Sequence, residues 1–481
     1  MPLNKLSGLK PEKVFRYFEE ISMIPRGSGH MEKISGYCAD FAKERNLKFI
    51  KDNACNVIIF KDGTAGRENE EPVIIQGHLD MVWEKSSDSS IDFETDPLDL
   101  AIEKGFIIAK GTTLGGDDGI AVAYALALLD SDDLSHPPLE VVFTTDEETG
   151  MCGAEAIDTS VLRGKRMINI DSEAEGTLWV SCAGGARADI RYEFSAESVS
   201  GTVCEISVSG LHGGHSGTEI HHGYANANKL MGRILENLSS SIDFSLVTID
   251  GGSMDNAITR ECVCKIALSS ESEALFKHIN RLNSDLRKEF KSTDPDLSVR
   301  IRNCESVRYC ISKADSQKII SMLNEFPCGV VSMSKSIEGL VETSLNLGVT
   351  ATKDNYISFT FLCRSSDNSQ RIALTDKLTA IAEKFGANCT VHSEYPAWEY
   401  KEDSELQTVF ADTFKDVFGK EMVVTAIHAG LECGLFCGKI AGLDCVSFGP
   451  DILDIHTPQE KLSIESSARM WEYLLEILKR I

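Results

Sequence analysis

Five apolar runs in this chain end in, or lead directly into, carboxylates or histidines. Val73-Ile74-Ile75 leads to Gly77-His78-Leu79-Asp80, and Gly111-Thr112-Thr113-Leu114-Gly115-Gly116 ends in Asp117-Asp118. Val141-Val142-Phe143-Thr144-Thr145 ends in Asp146-Glu147-Glu148, Ile168-Asn169-Ile170 ends in Asp171, and Cys445-Val446-Ser447-Phe448 leads through a loop to His456. Imidazole nitrogens and carboxylate oxygens without thiolates suit zinc, manganese and cobalt also fit, and one carboxylate can bridge two ions. His78, Asp117, Glu148, Asp171 and His456 make five ligands, enough for two ions if one acid is shared. Each ion then keeps an open position for water or substrate. Glu147 stands beside a ligand without being needed as one, and a free carboxylate there can act as general base. Asp80, two residues from His78, can orient or polarise that ligand from behind.

Taken singly, these residues have ordinary readings. His-x-Asp and Glu-Glu pairs are common, and an acid at a strand end is usually a helix N-cap or a turn residue. The argument for chemistry is coincidence: several charged residues follow long apolar strands and are flanked by glycines that let a backbone approach a ligand closely.

Three of the runs read as fully buried strands of a parallel sheet. In open α/β sheets the crevice beyond the carboxyl ends of the strands is where ligands bind, so residues scattered over the whole chain would meet there. Residues 11 to about 185 alternate amphipathic helices, such as Pro11–Ser22 and Met31–Arg45, with buried strands. From about 200 the pattern changes to strand Thr202–Ser209, helix Asn226–Leu238, strands Ser245–Asp250 and Glu261–Leu268, and helix Glu271–Lys291. A similar order follows in Ser298–Asn303, Asp315–Leu323, Leu345–Val349, Tyr356–Cys363 and Ser369–Phe385, hinting at a duplicated unit without a residue-level repeat. Strand pairs alternating with helices suggest an antiparallel sheet covered on one face. Near Glu394-Tyr395-Pro396-Ala397-Trp398 the chain should return to the first sheet, because His456 is needed there; Leu462–Ile481 reads as a closing amphipathic helix. The expected fold is α/β: a mostly parallel-sheet, helix-flanked catalytic domain over 1–185 and 397–481, interrupted by an α+β lid domain over 186–396.

The motifs Gly77-His78-Leu79-Asp80, Gly115-Gly116-Asp117-Asp118-Gly119, Thr145-Asp146-Glu147-Glu148-Thr149-Gly150, Asp171-Ser172-Glu173 and His456-Thr457-Pro458 closely resemble those of co-catalytic zinc aminopeptidases and aminoacylases. Gly213-Gly214-His215-Ser216-Gly217, His221-His222-Gly223-Tyr224-Ala225-Asn226-Ala227-Asn228 and Ile427-His428-Ala429-Gly430-Leu431-Glu432-Cys433-Gly434 resemble one branch, the aminoacyl-histidine or cytosol non-specific dipeptidases. The resemblance runs from Pro11 to the C-terminal helix. It implies that His78 and Asp171 hold one zinc, Glu148 and His456 the other, and that Asp117 bridges them. It makes Glu147 the acid/base and Asp80 the partner of His78. Gly116, where relatives often carry alanine, should be harmless.

The resemblance also favours His215 as a donor to the oxyanion formed at the scissile carbonyl. His212, His221 and His222 read as loop residues, since no acid-and-histidine pattern supports a third metal site. In related dimeric enzymes the donor comes from the partner chain; the insertion of about 200 residues here is large enough for closure within one chain to suffice, with a dimer allowed but not required. Arg364 ends the strand pattern Phe359-Thr360-Phe361-Leu362-Cys363. An arginine there is usually solvent-exposed, but a dipeptidase must recognise a free carboxylate, and a guanidinium does so by bidentate hydrogen bonds. The resemblance tilts Arg364 toward that role, with Asn256 and the Gly430 backbone lining the pocket.

The composition agrees. At 481 residues two domains are expected. Fifteen cysteines are scattered without CxxC pairs, and several, such as Cys204 and Cys445, lie in apolar strand patterns, the usage of a reducing compartment. Met1-Pro2-Leu3-Asn4-Lys5-Leu6 has no apolar core of signal-peptide length and no run approaches ~18 apolar residues, so a cytoplasmic protein is expected. A net charge of −26 disfavours nucleic acid and anionic membranes as partners. Gly434-Leu435-Phe436-Cys437-Gly438-Lys439 is one residue too short for a phosphate-binding loop, and Ile440 replaces its Ser/Thr. The expectation is a two-metal dipeptidase acting on dipeptides. An aminoacylase-type amidase on the same metal core is the alternative, and a peptide-binding relative without catalysis is disfavoured because neither Glu147 nor any ligand is missing.

Overall fold

The structure, a computed structural model, describes residues 5–199, 201–268 and 273–481. Met1-Pro2-Leu3-Asn4 of the N-terminal reading, and Glu271-Ser272 of the expected helix, lie outside the described residues. The chain divides into two compact units. One comprises Met1–Cys182, Tyr400–Ala426 and Leu431–Ile481; the other comprises Ala183–Glu399 and Ile427–Gly430.

The first unit is built on an eight-stranded sheet ordered Lys48–Lys51, Val57–Lys61, Leu139–Thr144, Val73–His78, Arg166–Asn169, Asp444–Ser447, Thr177–Cys182, Val423–Ile427. Its centre is parallel: Val73–His78 pairs with Leu139–Thr144 and with Arg166–Asn169, which pairs with Asp444–Ser447. Its flanks are antiparallel, which makes the sheet mixed. Every residue of Val73–His78 and Leu139–Thr144 is buried, as expected where helices cover both faces and the pattern is a continuous run of Val, Ile and Phe. Helix Gly116–Leu129 is buried along its whole length and packs on Val73–His78 and on helix Glu12–Ser22. Its all-round Ala, Val and Leu surface suits an interior helix and no other position. Asp117 and Asp118 sit at its start with non-helical backbone angles.

A second, four-stranded sheet joins Leu100–Glu103, Phe106–Ala109, Lys461–Ser463 and Ile452–Leu453. Ile452–Leu453 and Lys461–Ser463 pair antiparallel, so His456 lies in the loop of a hairpin. That hairpin is stitched to Phe106–Ala109, a few residues before the Asp117 turn. The amphipathic helix Ile464–Arg480 follows directly, capped by the Ser463 hydroxyl.

The second unit holds a nine-stranded antiparallel sheet, ordered Ser298–Cys304, Val203–Ser209, Cys262–Leu268, Phe244–Gly251, Val341–Thr352, Tyr356–Ser365, Gly184–Glu193, Asn388–Tyr395, with Gly329–Met333 also paired to Val341–Thr352. Alternate residues enter one core: Cys204, Ile206 and Val208; Cys262, Cys264 and Ile266; Ile357, Phe359, Phe361 and Cys363; Ala186, Ala188 and Ile190. Leu230 and Ile234, Leu275 and Ile279, Ile319 and Leu323, and Leu374 and Leu378 meet them from four helices. Period two on the strands matched by a helical stripe opposite is the expected packing of helices on one sheet face. Among the described residues no helix is long and apolar enough to cross a membrane.

Candidate active site

In the first unit His78 ends its strand, Glu148 and Asp171 lie just beyond the carboxyl ends of two neighbouring parallel strands, and Asp117 opens the buried helix. The backbone register places His78 opposite Thr144 and Gln76 opposite Asn169, which brings these strand ends together. His78 Nε2 lies 3.0 Å from Asp117 Oδ1 and 3.6 Å from Asp171 Oδ1. His456 Nε2 lies 3.2 Å from Asp117 Oδ2 and 3.1 Å from Glu148. Asp117 thus turns one oxygen to each histidine. Ligand atoms of Asp117, Glu148 and His456 fall within 4.8 Å of one another, as do those of His78, Glu147 and Glu148 and those of His78, Asp118 and Asp171. Asp118, given no role in the sequence reading, is buried, and its Oδ2 accepts the backbone N–H of His78 at 3.1 Å.

Asp80 is fully buried, with Oδ1 3.4 Å from His78 Nδ1. Its oxygens also accept the backbone N–H groups of Glu147 (3.1 Å) and Glu148 (3.2 Å) and the Ser28 hydroxyl (2.8 Å). It therefore braces the Glu147–Glu148 backbone and stands behind the His78 ring. Asp146 and His456 adopt left-handed backbone angles, φ 52° and 57°. That conformation costs about 1–2 kcal/mol for a side chain with a Cβ, and residues held so tend to cluster at functional sites.

Five buried or half-buried acids, Asp117, Asp118, Glu147, Glu148 and Asp171, converge here. Burial pushes Asp118 and Glu147 well above the carboxylate range and raises Glu148 and Asp171. Burial also pushes Asp117 up, but the two imidazoles outweigh it and hold this acid low. Burial would lower His78, yet Asp117, Asp171 and Asp80 hold it well above the usual histidine range. Asp117 and Glu148 lift His456 to about 11. The raised imidazoles and the raised acids have one cause, a crowd of buried negative charge that divalent cations would neutralise. Two imidazole nitrogens and the three carboxylates of Asp117, Glu148 and Asp171, close to one another in space, match the donors of a divalent metal pair, so the residues fit that group.

The remaining sequence candidates lie in the second unit. His215 Nδ1 accepts backbone N–H groups from Gly217 (3.3 Å) and Thr218 (3.1 Å), which puts the ring proton on Nε2 and leaves that nitrogen as a donor. Burial and the charge of Arg364 lower its pKa, favouring the neutral form. Arg364 is not exposed at its strand end: it is 6% accessible, donates to the Tyr395 hydroxyl at 3.1 Å, and has a buried Nε without a partner. The Asn256 carbonyl accepts the Ser216 N–H at 2.8 Å, and Asn346 holds the same loop through the carbonyls of Asp255 and Ala257. Gly430 closes the four-residue excursion Ile427–Gly430, whose Ala429 carbonyl accepts the Ala183 N–H. His212 stacks on Tyr224 at 4.1 Å, and His222 leans on the same ring, as loop residues do.

Four residues escaped the sequence reading. His428 is buried with Nε2 2.7 Å from the Ser344 hydroxyl, and burial together with Arg364 and His215 pushes it down to about 3. Glu432 is fully buried and accepts from Gln76 and Thr144, both at 2.6 Å; burial lifts it to about 7. Arg26, also buried, donates to the carbonyls of Leu79, Asp80 and Gly115. Glu460 is 3% accessible and accepts four backbone N–H groups. His428 and Glu432 fell inside a quoted motif, but neither Arg26 nor Glu460 carries a local signal.

Residues 74–480 match peptidase family M20/M25/M40. The chain is 36% identical over 482 residues to the cytosol non-specific dipeptidase of Escherichia coli strain K12, covering 100% of this chain and 99% of that one. The crystal structure of aminoacylhistidine dipeptidase from Vibrio alginolyticus superposes with a TM-score of 0.93 at 37% identity, over 99% of this chain and 98% of the other. Aminopeptidase PepT from Bacillus cereus shares the fold at a TM-score of 0.57 and 14% identity, over 98% of both chains.

Proposed function

The chain belongs to peptidase family M20/M25/M40, and from that premise we propose that it is a metal-dependent dipeptidase of the cytoplasm. The observation that carries this reading is end-to-end likeness, at 36% and 37% identity, to two dipeptidases. Cytoplasmic residence is supported by the cytosolic name of one relative and by fifteen cysteines that form no disulfide among the described residues. The reading makes the first unit the catalytic domain and the second the lid, acting as a monomer or homodimer.

His78 and Asp171 would hold one ion, Glu148 and His456 the other, and Asp117 both; zinc suits the donors best. Such a pair supplies, when bound, an acidified water and polarisation of the carbonyl oxygen. Everything else falls to the protein. Glu147, tethered by Asp80 through its backbone N–H and a carboxylate only once cation charge offsets the burial that raises it, takes the proton from the attacking water on a carboxylate oxygen and delivers it to the leaving amine nitrogen. Asp80 holds the ring of His78. His215, neutral and with its proton on Nε2, donates to the oxygen that gains charge as the carbonyl becomes tetrahedral. Arg364, buried and short of partners, receives the free C-terminal carboxylate, with Asn256 and the Gly430 backbone beside it.

The test is purified protein loaded with zinc, manganese or cobalt and offered dipeptides including β-alanyl-histidine, an N-acetyl amino acid and a tripeptide. Hydrolysis of dipeptides with little of the other two is the expected result. Preference for the N-acetyl amino acid would replace the reading with an aminoacylase.

A further inference from the structure

Glu460 stands four residues after His456, at the base of the same hairpin, and spends its whole carboxylate on the turn that carries Asp117. Its Oε2 accepts the N–H groups of Leu114 (2.7 Å) and Gly115 (3.0 Å), and its Oε1 those of Gly116 (2.7 Å) and Asp117 (3.3 Å). Four successive amides aimed at one point form an anion-binding nest, and here the anion is the protein's own side chain. The nest depends on glycine at position 115 and has little room to spare at 116. Gly115 has φ 66°, and a Cβ there would lie 2.5 Å from Arg26 Nη2; a Cβ at Gly116 would crowd Glu460 Oε1 at 3.3 Å. Both oxygens are committed to amides, which leaves Glu460 without a role as a ligand.

The geometry points to Glu460 as the positioning residue for the shared acid of the metal centre, an inference that rests on the ligand set proposed above. Asp117 meets one hairpin twice: its side chain faces His456 Nε2 (3.2 Å), and its backbone N–H donates to Glu460 (3.3 Å). The hairpin is itself fixed by its pairing to Phe106–Ala109. On the other side of the turn Arg26 holds the Gly115 carbonyl and, with the same guanidinium, the carbonyls of Leu79 and Asp80 next to His78. The segments bearing His78, Asp117 and His456 are thus locked to one another by two buried charges, one on each side of the bridging acid. Moving the turn would displace both Asp117 oxygens at once, so both ions would feel it.

The experiment measures metal content and affinity by chelator competition on the full-length protein as wild type, Glu460→Gln, Glu460→Asp and Asp117→Ala, with thermal melts of each metal-free form. Glutamine keeps one acceptor oxygen and points an NH2 at two amide donors, so its affinity for both ions should fall by roughly 10- to 100-fold, the usual effect of losing a ligand's supporting partner. Aspartate, which keeps the charge and both oxygens one methylene short, should restore part of that loss. It also decides the matter if the glutamine variant does not fold. Affinities of both Glu460 variants within about twofold of wild type, even with lowered melting temperatures, would reduce Glu460 to a stabiliser of the turn and overturn the inference. In that case wild type would still bind two ions and Asp117→Ala would lose them. A wild type that binds no metal overturns the ligand set and this inference together.

Discussion

Replacing Arg364 with alanine should abolish this protein's preference for a free carboxylate over an amide. The guanidinium offers five N–H donors in a planar fork, and among the described residues it makes one hydrogen bond, to the Tyr395 hydroxyl at 3.1 Å. Its Nε is buried without a partner, it is 6% accessible, and among the described residues it takes part in none of the ion pairs. Its field falls on His215 and His428, lowering both, which marks a positive environment ready for an anion. A charge-assisted hydrogen bond contributes about 1.5–3 kcal/mol, so exchanging a dipeptide's terminal carboxylate for an amide should cost roughly 10- to 150-fold in kcat/KM. The assay compares matched dipeptide acids and amides on wild type and on Arg364→Ala. The acid should lose that factor in the variant while the amide changes little, and Arg364→Lys should recover only part of the loss because a point charge cannot bind bidentately. Equal turnover of acid and amide by the wild type would refute the reasoning and favour an amidase.

Glu147→Gln should keep its metal content and lose at least ~10² to 10⁴ in kcat, the range for general acid–base catalysis; a variant with full metal and near-normal kcat removes Glu147 from the mechanism. Asp117→Ala should fail to retain two ions per chain, because one oxygen faces each histidine, and metal analysis finding both would contradict a shared ligand. His215→Ala should lower kcat by ~10² or more with metal intact. Should the protein be dimeric, mixing this variant with Glu147→Gln under subunit exchange tests whether the donor acts within one chain, and recovered activity would show that it acts across the interface. His428 titrates at about 3 when folded against 6.5 when unfolded, so below pH ~6.5 the unfolded chain binds the extra proton. Its contribution is therefore intact above that pH and is lost on acidification toward 3, by at most ~1.4 kcal/mol per pH unit. Denaturant unfolding between pH 7 and 5 should show a shallower pH dependence for His428→Gln; an unchanged slope would rule His428 out.

What could be seen in the sequence, and what could not, follows from how each residue is held. His78, Glu148 and Asp171 follow segments whose burial is continuous, and a charged residue breaking a run such as Val141-Val142-Phe143-Thr144-Thr145 is conspicuous. The strands of the second unit were legible for a related reason, since Cys204, Ile206 and Val208 alternate with polar neighbours. Strand Asn388–Tyr395 was not, because only Cys389 and Val391 alternate toward the core and the rest of it is polar and half-buried or exposed. That strand supplies Tyr395, and its absence from the sequence reading is why a solvent-exposed Arg364 looked the more ordinary outcome. The strands Ile452–Leu453 and Lys461–Ser463 are too short to show a pattern, yet they hold the hairpin of His456. Glu460 is harder still. Its partners are backbone amides 343 to 346 residues away in the chain, and an amide presents the same donor whatever side chain it carries. Arg26 binds carbonyls, with the same consequence. Residues that act on substrate through their own atoms leave a trace in residue type and spacing, whereas residues that act by fixing backbone leave one only at a position that must stay small, here Gly115. Glycines flanking a catalytic acid are therefore places to look for the buried charge that holds its loop.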